Sequence, residues 1–175
     1  LGVQVHGGMG FVEETGAAQH MRDARIYAIY EGTNGIQAID LVTRKIGIEG
    51  GALVAAEVAR MRGTVSAVAA SNDPAFGQTA ARLSAAIDGL EQATAHLLRA
   101  LASDPADAQA GATPYARLFG LALGGTSLAE KALKAGGGDV ARTEAIGLAR
   151  FFAENLATAA PGLADTVVAG GPAVV

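Results

Sequence analysis

Apolar residues recur at helical spacing over much of this chain, and this pattern constrains the fold more than any other feature. Between residues 54 and 68 they fall four, three, four and three positions apart, which places them on one face of a helix. The same periodicity returns between residues 83 and 101. The two predicted stripes are Val54, Val58, Met61, Val65 and Val68, and then Leu83, Ile87, Leu90, Leu97 and Leu101.

Aspartate or threonine followed by proline marks the predicted helix starts. Asp73-Pro74, Asp104-Pro105 and Thr113-Pro114 each combine a capping side chain with a proline whose missing N–H costs nothing in a first turn. We expect a helix from Tyr115 toward Leu133, weakened in the middle by Gly124-Gly125.

A last strong helix is predicted before Pro161, which ends or kinks it, and a short apolar tail follows. The triple glycine 136–138 is predicted to end the preceding helix, and Asp139 is the expected N-cap of this last helix. Its predicted buried stripe is Ala141, Ala145, Leu148, Phe152, Leu156 and Ala159. No segment alternates with period two long enough to predict a strand, so the expected fold is all-α, an antiparallel helical bundle.

Composition excludes several classes of function. The chain has 175 residues, a formal net charge of -4 and no cysteine, so disulfides, thiol nucleophiles and cysteine-bound zinc are excluded. No cluster of basic residues marks a nucleic-acid surface, and no apolar run approaches the ~18 residues of a membrane-spanning helix. His6, His20 and His96 show no spacing typical of metal ligands, so no metal site is predicted.

Two regions of the chain differ in amino-acid composition. Residues 1–46 are rich in polar and turn residues, whereas residues 47–175 are rich in alanine, leucine and valine. Gly47, Gly50 and Gly51 predict a bend between them. The opening residues read as the interior of a longer polypeptide, and we expect the chain to be part of one.

The stretch "AIYEGTNGIQ", residues 28–37, holds the strongest candidate for chemistry. Gly32 can break the preceding element, and Thr33 or Asn34 can cap a new helix. Glu31 then lies near a helix N-terminus, which favours its ionised form, while apolar neighbours favour the neutral form. A carboxylate under these opposing influences can serve as a general base, although many loop glutamates are simply solvated.

The segment "QVHGGMGF", residues 4–11, is the second candidate. Its glycines permit positive φ or close approach of a ligand to the backbone. It lacks the G-x-G-x-x-G spacing of a dinucleotide fold, and a helix-ending turn remains the simpler interpretation.

Taken together, "QVHGGMGF", "RDARI" and "IYEGTNGIQ" resemble, in order and spacing, the C-terminal end of the acyl-CoA dehydrogenase family. This resemblance covers residues 1–46, which would end the family's catalytic, flavin-contacting helical domain. Residues 47–175 resemble the additional C-terminal helical domain of a subgroup of larger members. The resemblance implies FAD as cofactor and acyl-CoA thioesters as substrates, which are α,β-dehydrogenated to trans-2-enoyl-CoA.

The resemblance also assigns roles to individual residues. Glu31 matches the catalytic base, Gly32 a position that contacts substrate, and Tyr30 the acyl pocket. The cofactor-contacting positions are Gln4, Val5, His6, Gly7 and Gly8, on the adenosine-pyrophosphate part of FAD, and Thr33, Asn34 and Gly35, near the flavin. Gly35 departs from the Glu or Gln common there, so any contact must come from its backbone. Arg22 and Asp23 match a structural ion-pair motif.

Partners follow from the same resemblance: an electron-transfer flavoprotein as acceptor, a homodimer or homotetramer, and the cytoplasm, or the mitochondrial matrix in a eukaryote. Two alternatives remain open. One is an acyl-CoA oxidase that uses oxygen as acceptor, and the other is a helical assembly module without activity. Because the family's flavin site also needs domains absent from these residues, we expect the chain alone to be inactive and to bind FAD weakly or not at all.

Overall fold

The computed structural model describes residues 1–30, 32–135 and 138–174. Every regular element in these ranges is helical, and none of them is a strand, which confirms the all-α prediction. The chain divides into two compact units, Leu1–Gln37 and Ala38–Val175. The predicted domain division at residue 46 stays a prediction.

The first unit consists of short elements with little buried between them. They are α1 (Gly2–Val5), two 3-10 turns (Gly7–Gly10 and Glu13–Thr15), α2 (Ala17–Ile26) and the start of α3 (Asn34–Asp40). Of its described residues, only Gly10 and Ala18 are buried. Large apolar side chains such as Val5, Phe11 and Tyr27 are mostly exposed.

The second unit is the helical bundle. A π-helical turn (Leu41–Lys45) extends α3, and 3-10 turns precede α4 and α5 (Ile48–Gly51 and Pro74–Phe76). The helices are α4 (Ala52–Ala70), α5 (Thr79–Ser103), α6 (Pro105–Ala110), α7 (Ala112–Lys134), α8 (Asp139–Phe151) and α9 (Ala160–Ala169). A π-helical turn (Phe152–Leu156) and a 3-10 turn (Ala157–Ala159) join α8 to α9, and Gly171–Ala173 form a last 3-10 turn.

Helix α5 lies at the centre of the bundle and packs against α4, α7 and α9. Its residues Leu83, Ile87, Leu90 and Leu97 are fully buried, as the periodicity predicts. The α4 stripe is also confirmed, because Val54, Val58, Met61 and Val68 are buried and Val65 is partly buried. Burying each such side chain contributes about 1.5–3 kcal/mol.

A polar contact joins α5 and α7 inside the core. The hydroxyls of Thr94 and Tyr115 lie 2.8 Å apart, and Thr94 also donates to the carbonyl of Leu90 at 2.7 Å. Tyr115 is fully buried, and this burial raises the pKa of its hydroxyl. Both hydroxyls therefore have partners inside the bundle, which avoids the cost of an unsatisfied buried polar group.

Two of the three predicted caps are confirmed. The Asp73 carboxylate accepts from the N–H of Ala75 at 3.0 Å, and the Asp104 carboxylate accepts from the N–H of Asp107 at 3.3 Å. The prediction for Thr113 is wrong, because α7 begins at Ala112, two residues before Pro114, and Gly111 holds the cap position. Pro114 still fits, since the first four N–H groups of a helix have no intrahelical acceptor.

Helix α7 runs through Gly124 and Gly125 without a break, and the weakening predicted there from helix propensity stays a prediction. The absence of side chains there lets another residue approach. The Phe152 ring lies 3.3 Å from the point where a Cβ on either glycine would stand, and a Cβ on Gly125 would also collide with Leu83. The glycines therefore permit close packing of α5, α7 and the turn after α8.

The predicted buried stripe of α8 is correct only in part, because Ala145 and Phe152 pack against the core while the rest of the stripe does not. The buried residues are Ile146, Ala149, Ala153 and Ala157, whereas Leu148 and Leu156 of the predicted stripe are about half exposed. Both faces are apolar, so periodicity alone did not distinguish them. The predicted tail after Pro161 is also wrong: α9 begins at Ala160 with Pro161 in its first turn and buries Ala164 and Val167 against the bundle.

The bend predicted at the glycine cluster is confirmed. Glu49, Gly50 and Gly51 all have positive φ, at 53°, 68° and 91°. Glycine adopts this region freely, whereas Glu49 does so at some cost. The predicted cap at Asp139 differs in detail, since α8 begins at that residue and Gly138 holds the cap position. Residues 136 and 137 lie outside the described residues.

Candidate functional site

The first candidate segment, Gln4–Gly8, forms the end of α1 and the start of a 3-10 turn. Its five residues are exposed, and Gly7 has a positive φ of 60°. No atom lies within 4 Å of the point where a Cβ on Gly7 or Gly8 would stand. The backbone is therefore open to a ligand at both glycines.

Two neighbours shape this segment. The His6 ring contacts the carbonyl oxygen of Gly2 through Nδ1 at 3.0 Å, which fixes the ring against α1. Gly10, by contrast, lies directly against the backbone of Val3, where a Cβ would collide with it. This glycine is needed for the fold of the turn, whereas Gly7 and Gly8 face open space.

The second candidate segment is the turn between α2 and α3. Gly32 has a φ of 94°, a conformation that a residue with a side chain rarely adopts. The N–H of Ile36 donates to Oγ1 of Thr33 at 3.4 Å, and the N–H of Gln37 donates to the carbonyl of Thr33 at 3.0 Å. The predicted interruption at Gly32 and the predicted Thr33 cap are therefore present.

Aromatic and apolar side chains precede this turn. Tyr27 and Tyr30 pack edge to face with their ring centroids 6.0 Å apart, and Tyr30 is about half exposed. The N–H of Asn34 donates to the carbonyl of Ala28 at 3.3 Å, which closes the chain into a loop. Tyr30, Gly32, Thr33 and Asn34 therefore belong to one turn. Glu31, the predicted base, lies outside the described residues.

Arg22 forms an ion pair, as the family motif implies, but with Glu13, a partner that the sequence does not indicate. Its guanidinium donates to both carboxylate oxygens of Glu13, at 3.0 and 2.7 Å, and this contact lowers the pKa of Glu13. Asp23 instead accepts from the Gln19 amide at 2.6 Å. Glu13 is therefore not simply solvated. Because the pair spans nine residues, no helical spacing in the sequence indicates it.

A pocket of about 600 Å³ lies beside this ion pair within the first unit. Val3, Phe11 and Met21 give it an apolar wall, and Glu13, Glu14 and Arg22 form its polar side. None of its lining residues belongs to the predicted site.

The residues that the structure describes contain no group of three or more His, Asp or Glu side chains placed to hold a metal ion. His96 instead contacts Asp107, with Nε2 and Oδ2 3.0 Å apart, and joins α5 to α6. Across the same described ranges, no helix is both long and apolar enough to cross a membrane.

Two family models match the chain. One, described as "Acetyl-CoA dehydrogenase C-terminal like", matches residues 55–175, and the other, "Acyl-CoA dehydrogenase, C-terminal domain", matches residues 1–47. The first match alone covers more than half of the chain. The chain therefore belongs to the acyl-CoA dehydrogenase family.

Curated relatives agree with this assignment. The chain is 43% identical over 162 residues to 3-methylmercaptopropionyl-CoA dehydrogenase of Ruegeria pomeroyi, covering 89% of this chain and 27% of that protein. It is 32% identical over 133 residues to butyryl-CoA dehydrogenase of Syntrophomonas wolfei, covering 76% of this chain and 21% of that protein. The chain thus spans about a quarter of the length of these relatives.

Proposed function

We propose that this chain is the C-terminal part of an FAD-dependent acyl-CoA dehydrogenase that converts acyl-CoA thioesters to trans-2-enoyl-CoA. One observation carries the proposal most: 43% identity over 89% of the chain to a protein named as an acyl-CoA dehydrogenase. The substrate class is short acyl-CoA thioesters, with or without a thioether sulfur, because the two relatives above are named for butyryl-CoA and 3-methylmercaptopropionyl-CoA.

In this proposal Glu31 removes the α-proton of the thioester. A carboxylate is a weak base for such a proton, so the thioester carbonyl must be polarised as the charge develops, and the Glu31 N–H is the proposed donor from this chain. Gly32 leaves room for the thioester because it has no side chain. Tyr30, half exposed before the turn, would line the acyl pocket. Bound FAD would supply the acceptor for the β-hydrogen, which leaves as hydride.

The described residues fit a bound flavin nucleotide. Gln4, Val5, His6, Gly7 and Gly8 are exposed, and the space beside the two glycines would let pyrophosphate oxygens approach the backbone. Thr33 and Asn34 are exposed in the turn after Glu31, and the partly buried Gly35 offers only its backbone. These three residues are the proposed contacts near the flavin.

The remaining parts of the proposal concern the whole enzyme. Its electron acceptor is an electron-transfer flavoprotein, it assembles as a homodimer or homotetramer, and it works in the cytoplasm.

Glu31→Gln in the enzyme that carries this chain tests the proposal. We expect the variant to bind FAD and acyl-CoA normally and to lose turnover by several orders of magnitude, about 10³-fold or more, because the amide cannot accept the proton. The measurements are flavin absorbance, acyl-CoA titration and dye-coupled turnover. Glu14→Gln is the matched control, since Glu14 is an exposed glutamate outside the proposed site.

Near-normal turnover in Glu31→Gln, with Glu14→Gln also unaffected, would overturn the role of Glu31. Absence of flavin from the unmodified enzyme would overturn the proposed cofactor. The two results are separate, because cofactor content is measured before any substrate is added.

A further inference from the structure

A groove of about 700 Å³ lies between α4 and α5 in the second unit. Its lining residues all fall between residues 50 and 98, so none of them belongs to the proposed enzymatic site. Clefts of roughly 300–1,000 Å³ with an apolar lining and a few polar groups are typical of small-molecule sites. We call this cleft the α4–α5 groove, and it has the size of a ligand site that the proposed function leaves unused.

Most of the α4–α5 groove is lined by apolar residues. Val54 and Val58 are buried beneath it, whereas Ala55 and Ala59 on α4 and Ala95 on α5 are exposed at its sides. Because an alanine side chain ends at Cβ, these positions leave the space between the two helices unfilled. The lining therefore offers apolar contact to a ligand that lies along the two helices.

The end of the groove near the start of α4 is apolar and closed. Gly51, with a φ of 91°, stands so close to α5 that a Cβ on it would lie 3.2 Å from Cδ1 of Leu98. Gly50 and Ala52 complete this end, and none of the described lining residues there is charged. The apolar part of a ligand can therefore occupy this end without removing a charged group from water.

The opposite end of the groove is charged. Arg62 of α4 donates through one terminal nitrogen to the Asp88 carboxylate at 2.5 Å, and also to Oε2 of Glu91. The other carboxylate oxygen of Glu91, Oε1, accepts no hydrogen bond from the part of the chain that the structure describes. Arg62 and Glu91 both line the groove, and Glu91 is about half exposed. A hydrogen-bond acceptor is therefore available to a ligand at this end.

The charge at this end favours a cation over an anion. Two carboxylates, Asp88 and Glu91, surround the one guanidinium of Arg62, which leaves a net charge of -1. An anion would meet a guanidinium that is already bound to two carboxylates, and both carboxylates would repel it. A cation beside Oε1 of Glu91 would instead bring the net charge to zero. The polar part of a ligand that fits this end is therefore positively charged.

The dimensions of the groove favour a slender ligand over a partner helix. Arg62 lies about 15 Å along α4 from Ala52, at the closed end. An α-helix of that length, about 10–12 Å across, would occupy roughly 1,200–1,700 Å³, which is about twice the volume of the groove. A single hydrocarbon chain is much narrower than a helix, so it can lie between the alanines of the two walls.

We propose that the α4–α5 groove binds a single-chain amphiphile with a cationic head group. Its hydrocarbon chain lies between Ala59 and Ala95 and ends near Leu98. Its head group lies beside the Glu91 carboxylate. Burial of the chain supplies the affinity, and the charge of Glu91 selects the head group. This inference rests on the second unit alone and does not depend on the proposed enzymatic function.

Calorimetric titration of the 175-residue chain with decyltrimethylammonium, kept below its micelle concentration, tests the site. We expect saturable binding of one molecule per chain. Octyltrimethylammonium should bind about 15-fold more weakly, because each buried methylene strengthens binding about fourfold. Decanoate has a chain of similar length and an anionic head group. It should bind more weakly than decyltrimethylammonium by about fivefold or more, as expected for one charge pair near 4 Å in water.

Two variants fill the groove from opposite sides. Ala59→Leu and Ala95→Leu should each weaken the binding of decyltrimethylammonium by about tenfold or more, because the larger side chain takes the space of the ligand. Ala56→Leu is the matched control, since Ala56 is an exposed alanine of α4 outside the lining, and it should leave binding unchanged. Glu91→Gln should bring the affinities for decyltrimethylammonium and decanoate closer together. Circular dichroism checks that each variant is folded.

Three results would each overturn the proposal. The first is the absence of saturable binding of decyltrimethylammonium to the unmodified chain. The second is binding of decanoate that is as tight as that of decyltrimethylammonium. The third is unchanged binding in folded Ala59→Leu and Ala95→Leu, which would mean that the amphiphile binds elsewhere on the chain.

Discussion

In the second unit Leu83, Ile87, Leu90 and Leu97 of α5 are fully buried, whereas in the first unit Val5, Phe11 and Tyr27 are mostly exposed. Yet the quoted family motifs all lie in the first 37 residues. The fold of a bundle depends on the packing of its core, and many combinations of apolar residues can pack equally well. Among the described residues of the first unit only Gly10 and Ala18 are buried, so core packing explains few of its other residues.

Truncating one apolar side chain in each unit gives the largest expected contrast. Leu90→Ala, at the fully buried centre of α5, should lower the free energy of unfolding by about 2–5 kcal/mol, because it removes apolar contacts and leaves a cavity. Ile29→Ala, at a half-exposed position of the first unit, should change it by no more than about 0.5 kcal/mol. Urea unfolding followed by circular dichroism measures both. Equal losses would contradict the contrast.

Glycine replacements sharpen the description of the bundle. Gly125→Ala should destabilise by about 1–3 kcal/mol, because the new Cβ would collide with Leu83 and press on the Phe152 ring. Gly120→Ala, on the same helix with open space around it, should stabilise by about 0.5–1 kcal/mol through helix propensity. Thermal unfolding of the two variants should therefore shift in opposite directions. A stabilised Gly125→Ala would show that the packing there is loose.

The smallest expected contrast between the two units is in the pH dependence of melting. Each unit has a glutamate whose pKa is lowered. The Glu154 carboxylate accepts from the N–H of Gln78 at 2.8 Å and from Arg150, and these contacts lower its pKa below the ordinary 4.5. A carboxylate whose pKa is lower in the folded than in the unfolded protein stabilises the fold fully when the pH is above its ordinary pKa. This stabilisation is lost as the pH falls through the pKa of the folded state. Glu154→Gln should therefore lower the melting temperature near pH 7, and the loss should be smaller near about pH 3.

Glu13 is the counterpart in the first unit, since its pKa is lowered by Arg22. Because this pair is exposed and lies outside the bundle, Glu13→Gln should leave the main melting transition unchanged at either pH. A pH-dependent loss in Glu13→Gln as large as that in Glu154→Gln would show that the two units melt together.

The sequence predicted the fold class, the stripes of α4 and α5, and the caps at Asp73 and Asp104. These features depend on residues near each other along the chain, where periodicity and capping act directly. The turn at Gly32 with its Thr33 cap was predictable for the same reason. The roles of the site residues came from the resemblance to a family and remain proposals.

Features that depend on distant residues were not predictable. Glu154 binds the N–H of Gln78, which is 76 positions away, and no local pattern indicates such a partner. The buried face of α8 could not be predicted from periodicity, because both faces carry apolar residues. One face has alanine and isoleucine, and the other has leucine and phenylalanine. From helix propensity alone, Gly125 was expected only to weaken its helix. Propensity takes no account of neighbouring side chains, so it could not indicate the close packing at this position.

The close packing at Gly125 also has an evolutionary consequence. Leu83, Gly125 and Phe152 meet at one point although they lie on three different elements. A larger residue at 125 is therefore accepted only together with a smaller one at 83 or 152. Across homologous sequences these three positions should vary together, whereas position 120, one and a half turns away on the same helix, should vary independently.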